Sequence, residues 1–191
     1  YQKKEKILSL GHIGHFRKQK NHKMLFKILS KIKTVKVPFI CYLSGQGINK
    51  NNKNIVNLVN EYELQNNVIL CDYHENVYEM YKKFDIFLLT SRSGEAFPNV
   101  LIEALSSGIP CISTNIGDSK IIIDHCGFVF EQDEINKFVD KIIYYNNMRL
   151  NDLEKWESNK FKCRKHIIKN YDIIKIVRLY ENEWLGAGFF N

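Results

Sequence analysis

Short apolar runs alternate along this chain with stretches in which apolar residues recur every three or four positions. The runs are Ile7–Leu10, Phe39–Leu43, Val68–Leu70, Ile86–Leu89, Ile109–Ser113 and Phe128–Phe130. They are brief and apolar on both faces, as expected of strands in a parallel sheet covered by helices. Between them, Met24, Leu25, Ile28, Leu29 and Ile32 mark a helix over Asn21 to Lys33. Ile55, Leu58, Val59 and Tyr62 mark a second, and Val77, Met80 and Tyr81 a short third. Val100, Leu101, Ala104 and Leu105 mark a helix that stops at Gly108. From Glu131 onward the pattern is helical only, roughly over 133–146, 150–169 and 172–185. This order predicts an α/β fold, a Rossmann-like doubly wound parallel sheet with extra C-terminal helices. Neither a linker nor a repeat interrupts it, so residues 1–185 are expected to form one domain, with 186–191 a loosely ordered tail.

Composition narrows the class. The chain has 191 residues and a hydrophobic fraction of 45%, which excludes intrinsic disorder. No apolar run reaches the roughly 18–20 residues that span a bilayer. The net charge is +7, from 28 Lys and Arg against 21 Asp and Glu. Only five of the bases are arginine, the residue that nucleic-acid readers favour for bidentate contacts. The lysines are scattered among Asn and Ile, so a solvated surface accounts for most of the charge and no nucleic-acid partner is expected. The five cysteines are widely spaced and lack zinc-ligand spacing, as expected of a reduced, cytoplasmic protein. Tyr1 is not a native start, so the chain is expected to be processed or a piece of something longer.

Ligands of open parallel sheets bind beyond the carboxyl ends of the strands. After the first strand come Gly11 and Gly14, the bases Arg17, Lys18 and Lys20, and then a helix. Glycines let a ligand approach the backbone, and a helix N-terminus favours an anion, so a phosphate site competes here with a plain tight turn. After the fourth strand comes Glu95, followed by Pro98 in a helix first turn and Glu103 in its second turn. The free amides of Asn99 to Leu101 would point at an anion. Two flanking carboxylates suit vicinal hydroxyls of a polyol, and Glu103 among Leu101, Ile102, Ala104 and Leu105 needs a partner if it is buried. The competing interpretation is a surface Glu on an amphipathic helix. His12, His15 and His22 share one loop but have no Cys or carboxylate neighbour, so no metal is expected there. Ser93-Gly94 lacks the elbow of a serine hydrolase.

These residues resemble a known family. Glu95-Ala-Phe-Pro-Asn-Val-Leu-Ile-Glu103, continuing through Gly108 and Pro110, is similar to the E-x7-E region of retaining GT-B glycosyltransferases, in particular family 4, the glycosyl transferases group 1. Leu10 to His22 resembles that family's G-R-F-x-x-x-K-N-H block, Gly45-Gln-Gly47 its G-x-G turn, and Tyr81 to Ser91 its aspartate-containing strand block. Together these cover about residues 6 to 130 in the family order.

The resemblance implies one half of a GT-B fold, the C-terminal domain that binds a UDP- or GDP-sugar, without cofactor or metal. It implies that Glu95 contacts the donor sugar, that Glu103 holds the ribose hydroxyls, and that Lys20 neutralises the leaving diphosphate. Gly14 and the segment Phe97, Pro98, Asn99 and Val100 would meet the diphosphate and sugar. A lysine and a helix N-terminus can stabilise that growing negative charge. The chain departs from the family where His15 stands in place of the motif arginine, with Arg17 as the alternative base. The family's N-terminal acceptor domain is expected to lie outside this chain. The isolated chain is therefore expected to bind donor weakly without transferring it. The whole enzyme is expected to build surface polysaccharide on a glycan or lipid-linked acceptor, in the cytoplasm at the inner membrane face, with peripheral membrane association. The alternatives are a non-catalytic sugar-nucleotide or protein-binding module, a nucleotide-sugar epimerase, or a glycogen-type synthase.

Overall fold

The computed structural model describes residues 7–72 and 76–186. Among these residues six strands form one wholly parallel sheet. They are β1 (Leu8–Ile13), β2 (Phe39–Ser44), β3 (Val68–Cys71), β4 (Ile86–Leu89), β5 (Cys111–Thr114) and β6 (Gly127–Phe130), in the spatial order β3-β2-β1-β4-β5-β6. The chain winds outward one way from β1 to β3, then returns to pair β4 with β1. Strand order thus reverses between β1 and β4, where sheets of this type open a crevice at their carboxyl ends.

The helices between strands are α1 (His22–Thr34), α2 (Lys53–Glu61), α3 (Val77–Tyr81), α4 (Asn99–Ser106) and α5 (Ser119–Ile123). Then follow α6 (Ile135–Asn151), α7 (Leu153–Asn170) and α8 (Ile173–Gly186). β4 shows why the sheet is covered twice. All four of its residues are buried, and alternate side chains point to opposite faces. Ile86 and Leu88 join a cluster with α1, α2 and α6, including Phe26, Ile28, Ile55 and Phe138. Phe87 and Leu89 join another with α3, α4, α5 and α7, including Tyr81, Leu101, Leu105 and Ile123. Local signals end the helices where expected: Asn52 accepts from the Asn54 amide at the start of α2, and Gly108 closes α4 at φ +77°.

Several boundaries differ from the sequence pattern; α6, for example, runs to Asn151 where the pattern ended at 146. β1 continues through Gly11 and His12 to Ile13, because Gly11 lies against the Phe84 ring. A Cβ there would meet that ring at 2.1 Å, so Gly11 is a packing glycine and not part of a ligand loop. β5 begins at Cys111, later than Ile109. The short α5 has no periodic signature, since Ile121, Ile122 and Ile123 are consecutive. The expected tail lies outside the described residues beyond Gly186, and so do residues 73–75 of the loop after β3. Among the described residues no helix is long and apolar enough to cross a membrane.

Candidate functional site

A cleft of about 360 Å³ opens at the β1–β4 crevice. Ile13, Gly14, His15, Lys20, Val77, Glu95, Phe97, Asn99, Val100 and Glu103 line it. Eight of these are residues that the sequence singled out, drawn from the loop after β1 and the segment after β4.

The β1 side is built by clamps from β4. The chain leaves β1 at Gly14, whose amide donates to the Ser44 carbonyl at 2.9 Å, and passes into a 3-10 turn over Lys18–Lys20. Lys20 therefore ends that turn one residue before Asn21 and α1, rather than opening the helix. Thr90 Oγ1 donates to the Lys20 carbonyl at 3.0 Å, and the Arg92 amide donates to the Gln19 carbonyl at 2.7 Å. The Lys20 stem lies over Gly14, whose absent side chain leaves room for those methylenes: a Cβ would stand 3.1 Å from Lys20 Cδ. Lys20 Nζ then donates to Glu95 Oε1, and the two side chains are only 20% and 12% exposed. Ser91 Oγ donates to the same oxygen at 2.8 Å. Both donors take Oε1 of a residue that lines the cleft.

Behind this pair lie two buried histidines. His12 Nδ1 faces the Leu88 carbonyl at 3.0 Å, and its ring meets that of His22 edge-on at 5.0 Å. Burial is the main force holding both neutral, pushing His12 down to about 4 and His22 to about 2, and the Lys20 charge adds to it. His15 is exposed instead, its Nδ1 3.0 Å from Gln46 Oε1. The three histidines do not converge.

The α4 side differs. Pro98 is buried and caps α4 without lining the cleft. The Leu101 amide donates to the Pro98 carbonyl at 3.0 Å, so it is committed, and the amides of Asn99 and Val100 are the helix-opening pair. Glu103 is exposed, not buried as its apolar neighbours allowed. Tyr81, itself buried, donates its hydroxyl to Glu103 Oε2 at 2.7 Å, and burial together with this bond pushes the Tyr81 phenol well up. Phe97 rests on the Tyr171 ring at 6.0 Å. Arg17, the alternative to the motif arginine, is exposed and lies outside the cleft lining, whereas His15 lies within it.

Sequence reasoning missed Ser91, Tyr81 and Gly117 as site-builders. At Gly117 the chain turns with φ +48°, and a Cβ would stand 2.2 Å from the Glu95 carbonyl oxygen. The Asp118 amide donates to the Ala96 carbonyl at 2.9 Å. The loop after β5 thus presses on the loop that carries Glu95. The small Gly117-Asp118 pair after a strand was its one visible trace.

A cation held against a carboxylate, a helix opening and a second carboxylate make a site for an anionic, hydroxyl-bearing ligand. A family model described as Glycosyl transferases group 1 matches residues 1–163. The chain belongs to the glycosyl transferases group 1 family. It is 31% identical over 179 residues to an N-acetyl-alpha-D-glucosaminyl L-malate synthase of Bacillus anthracis, covering 93% of this chain and 44% of that protein. It is 30% identical over 176 residues to a Campylobacter jejuni N-acetylgalactosamine-N,N'-diacetylbacillosaminyl-diphospho-undecaprenol 4-alpha-N-acetylgalactosaminyltransferase, covering 90% and 44%. The chain thus spans less than half the length of these relatives. Among solved structures, a glycosyltransferase from Rickettsia africae superposes with a TM-score of 0.81 at 23% identity, covering 93% of this chain and 47% of that one. Anabaena HepE, solved with UDP and glucose, gives 0.79 at 18% identity, covering 94% and 48%. The group 1 family's Rossmann-like GT-B half is therefore the fold of this chain.

Proposed function

We propose that this chain is the donor-binding domain, over residues 1–185, of a retaining family 4 glycosyltransferase. The enzyme would take a sugar from a UDP- or GDP-linked donor and pass it to a glycan or lipid-linked acceptor in surface polysaccharide synthesis. The observation that supports this most is the Lys20–Glu95 contact across the β1–β4 crevice, in one cleft with Glu103. Lys20 neutralises the diphosphate as it leaves, together with the opening of α4. Glu95 accepts from the sugar hydroxyls. Glu103, steadied by Tyr81, accepts from the ribose. Gly14 lets the diphosphate approach the backbone, and Phe97, Asn99 and Val100 wall the sugar. This arrangement works without a metal, and the acceptor and its binding groups come from outside this chain. The intact enzyme works in the cytoplasm, at the inner membrane face.

Calorimetric titration with UDP, GDP and ADP tests this. One nucleotide is expected to bind, and Lys20→Ala and Glu103→Ala are expected to weaken it while circular dichroism stays unchanged. The isolated chain is expected to hold donor without transferring sugar to an acceptor. If no nucleotide binds, or neither substitution matters, the binding-module alternative prevails. That alternative draws its support from His15, which faces the cleft where the family motif has arginine.

A further inference from the structure

At the corner between α5 and β6 three side chains with metal-ligating atoms meet. His125 and Cys126 come from the corner itself, and His166 comes from α7. One ligand atom from each lies within 4.8 Å of the others. Asp124 lies beside them, its Oδ2 2.7 Å from His125 Nδ1 and 3.9 Å from His166 Nδ1, and orients the His125 ring. We propose that His125, Cys126 and His166 bind a zinc ion that ties α7 to the α5–β6 corner, with Asp124 hydrogen-bonded to His125 beside them.

The orientation of His166 is the second observation. This imidazole is buried, and its Nε2 lies 3.0 Å from the Ile122 carbonyl. A carbonyl can only accept, so the proton sits on Nε2 and the lone pair on Nδ1, the nitrogen nearer Asp124. Anchoring the far ring nitrogen on a backbone carbonyl is how metal-binding imidazoles are oriented. Asn170 Nδ2, on an exposed side chain at the end of α7, lies 3.1 Å from the same Nδ1 and would give up this contact when a metal binds. Asp124 is held at φ +44°, which turns its carboxylate back over the two rings.

The donor set selects the ion. One thiolate and two imidazoles suit the borderline-soft Zn2+, with water free to complete a tetrahedral set, whereas Mg2+ and Ca2+ demand oxygen. On binding, the Cys126 thiol gives its proton to solvent and a Zn–S bond forms, with no change of oxidation state. Cys126 stands at the amino end of β6, away from the carboxyl-end cleft. The ion would therefore hold the fold and take no part in sugar transfer. His166 packs 6.0 Å from the Tyr171 ring, and Tyr171 packs on Phe97, so the clamp would also steady one wall of the cleft.

Co2+ titration of the chelator-stripped chain tests the site, with Zn2+ as competitor. The expected result is one Co2+ per chain, tetrahedral visible bands, a thiolate-to-cobalt charge-transfer band, and displacement of both by Zn2+. Zn2+ is also expected to raise the melting temperature. Cys126→Ser should abolish the charge-transfer band. His125→Ala, at an exposed position that the fold does not need, should weaken binding about tenfold or more. Absence of tetrahedral binding to the wild-type chain would overturn the proposal. So would binding that neither substitution alters, which would place the metal on other thiols.

Discussion

Glu95 and Glu103 line the same cleft, yet their walls are built on opposite principles. Glu95 sits in a loop with no regular structure. It is held from three sides: by Lys20 from the β1 loop, by Ser91 at the end of β4, and by the turn at Gly117 after β5. Glu103 sits on a helix, exposed, with the hydroxyl of Tyr81 as its hydrogen-bond partner. A loop carboxylate needs outside groups to hold it still, because nothing in its own segment fixes the backbone. A helix positions its carboxylate by period alone, and the partner only refines it. The first wall should therefore fail through its supports, and the second should yield gradually.

Gly117→Ala strikes the supports of the first wall hardest. Its Cβ would overlap the Glu95 and Ala96 carbonyl oxygens in a backbone conformation that alanine rarely adopts. A loss of about 2–4 kcal/mol is expected in urea unfolding. A loss under about 1 kcal/mol would mean that the loop relaxes freely and the contrast between the walls is overstated.

Acid should weaken the same wall from behind. His12 is pushed down to about 4 by burial, against an ordinary 6.5. The unfolded chain therefore takes up protons first as pH falls. The stabilisation is complete above pH 6.5 and is lost progressively toward pH 4, at up to about 1.4 kcal/mol per pH unit. His22, pushed lower still, extends the loss in the same direction. His12→Asn keeps a donor for the Leu88 carbonyl without a titrating ring. Its melting temperature should fall less than that of the wild type between pH 6.5 and 5, and equal slopes would remove His12 from the account.

Lys20→Met keeps the stem over Gly14 and removes the charge. Affinity for the preferred nucleoside diphosphate should drop by about 2 kcal/mol, roughly thirtyfold, with the melting temperature little changed. An unchanged affinity would leave Lys20 as a mere partner of Glu95. Tyr81→Phe should have the smallest effect, about 1 kcal/mol on the same titration. A loss as large as that for Lys20→Met would show that the helix wall depends on its support as much as the loop wall does.

Much of this was legible in the chain. Strand and helix alternation, the stop at Gly108 and the placement of Glu103 in the second turn of α4 follow from local rules. Apolar residues on both faces demand cover on both faces, and a helical period places residues near in sequence whatever lies further away. The segment from Glu95 to Glu103 was equally readable, since its chemistry is contiguous. Other features were decided only by the tertiary structure. Lys20 meets Glu95 because strand order reverses between β1 and β4, and no periodicity encodes which strands become neighbours. The same holds for Tyr81 on Glu103, for His15 lining the cleft while Arg17 does not, and for Gly117 pressing on the Glu95 loop. His12 and Gly11 looked like parts of a ligand loop and turned out to be strand and core. Local burial patterns fix each element, but a site joins segments far apart in sequence, and their meeting depends on how the whole sheet is ordered.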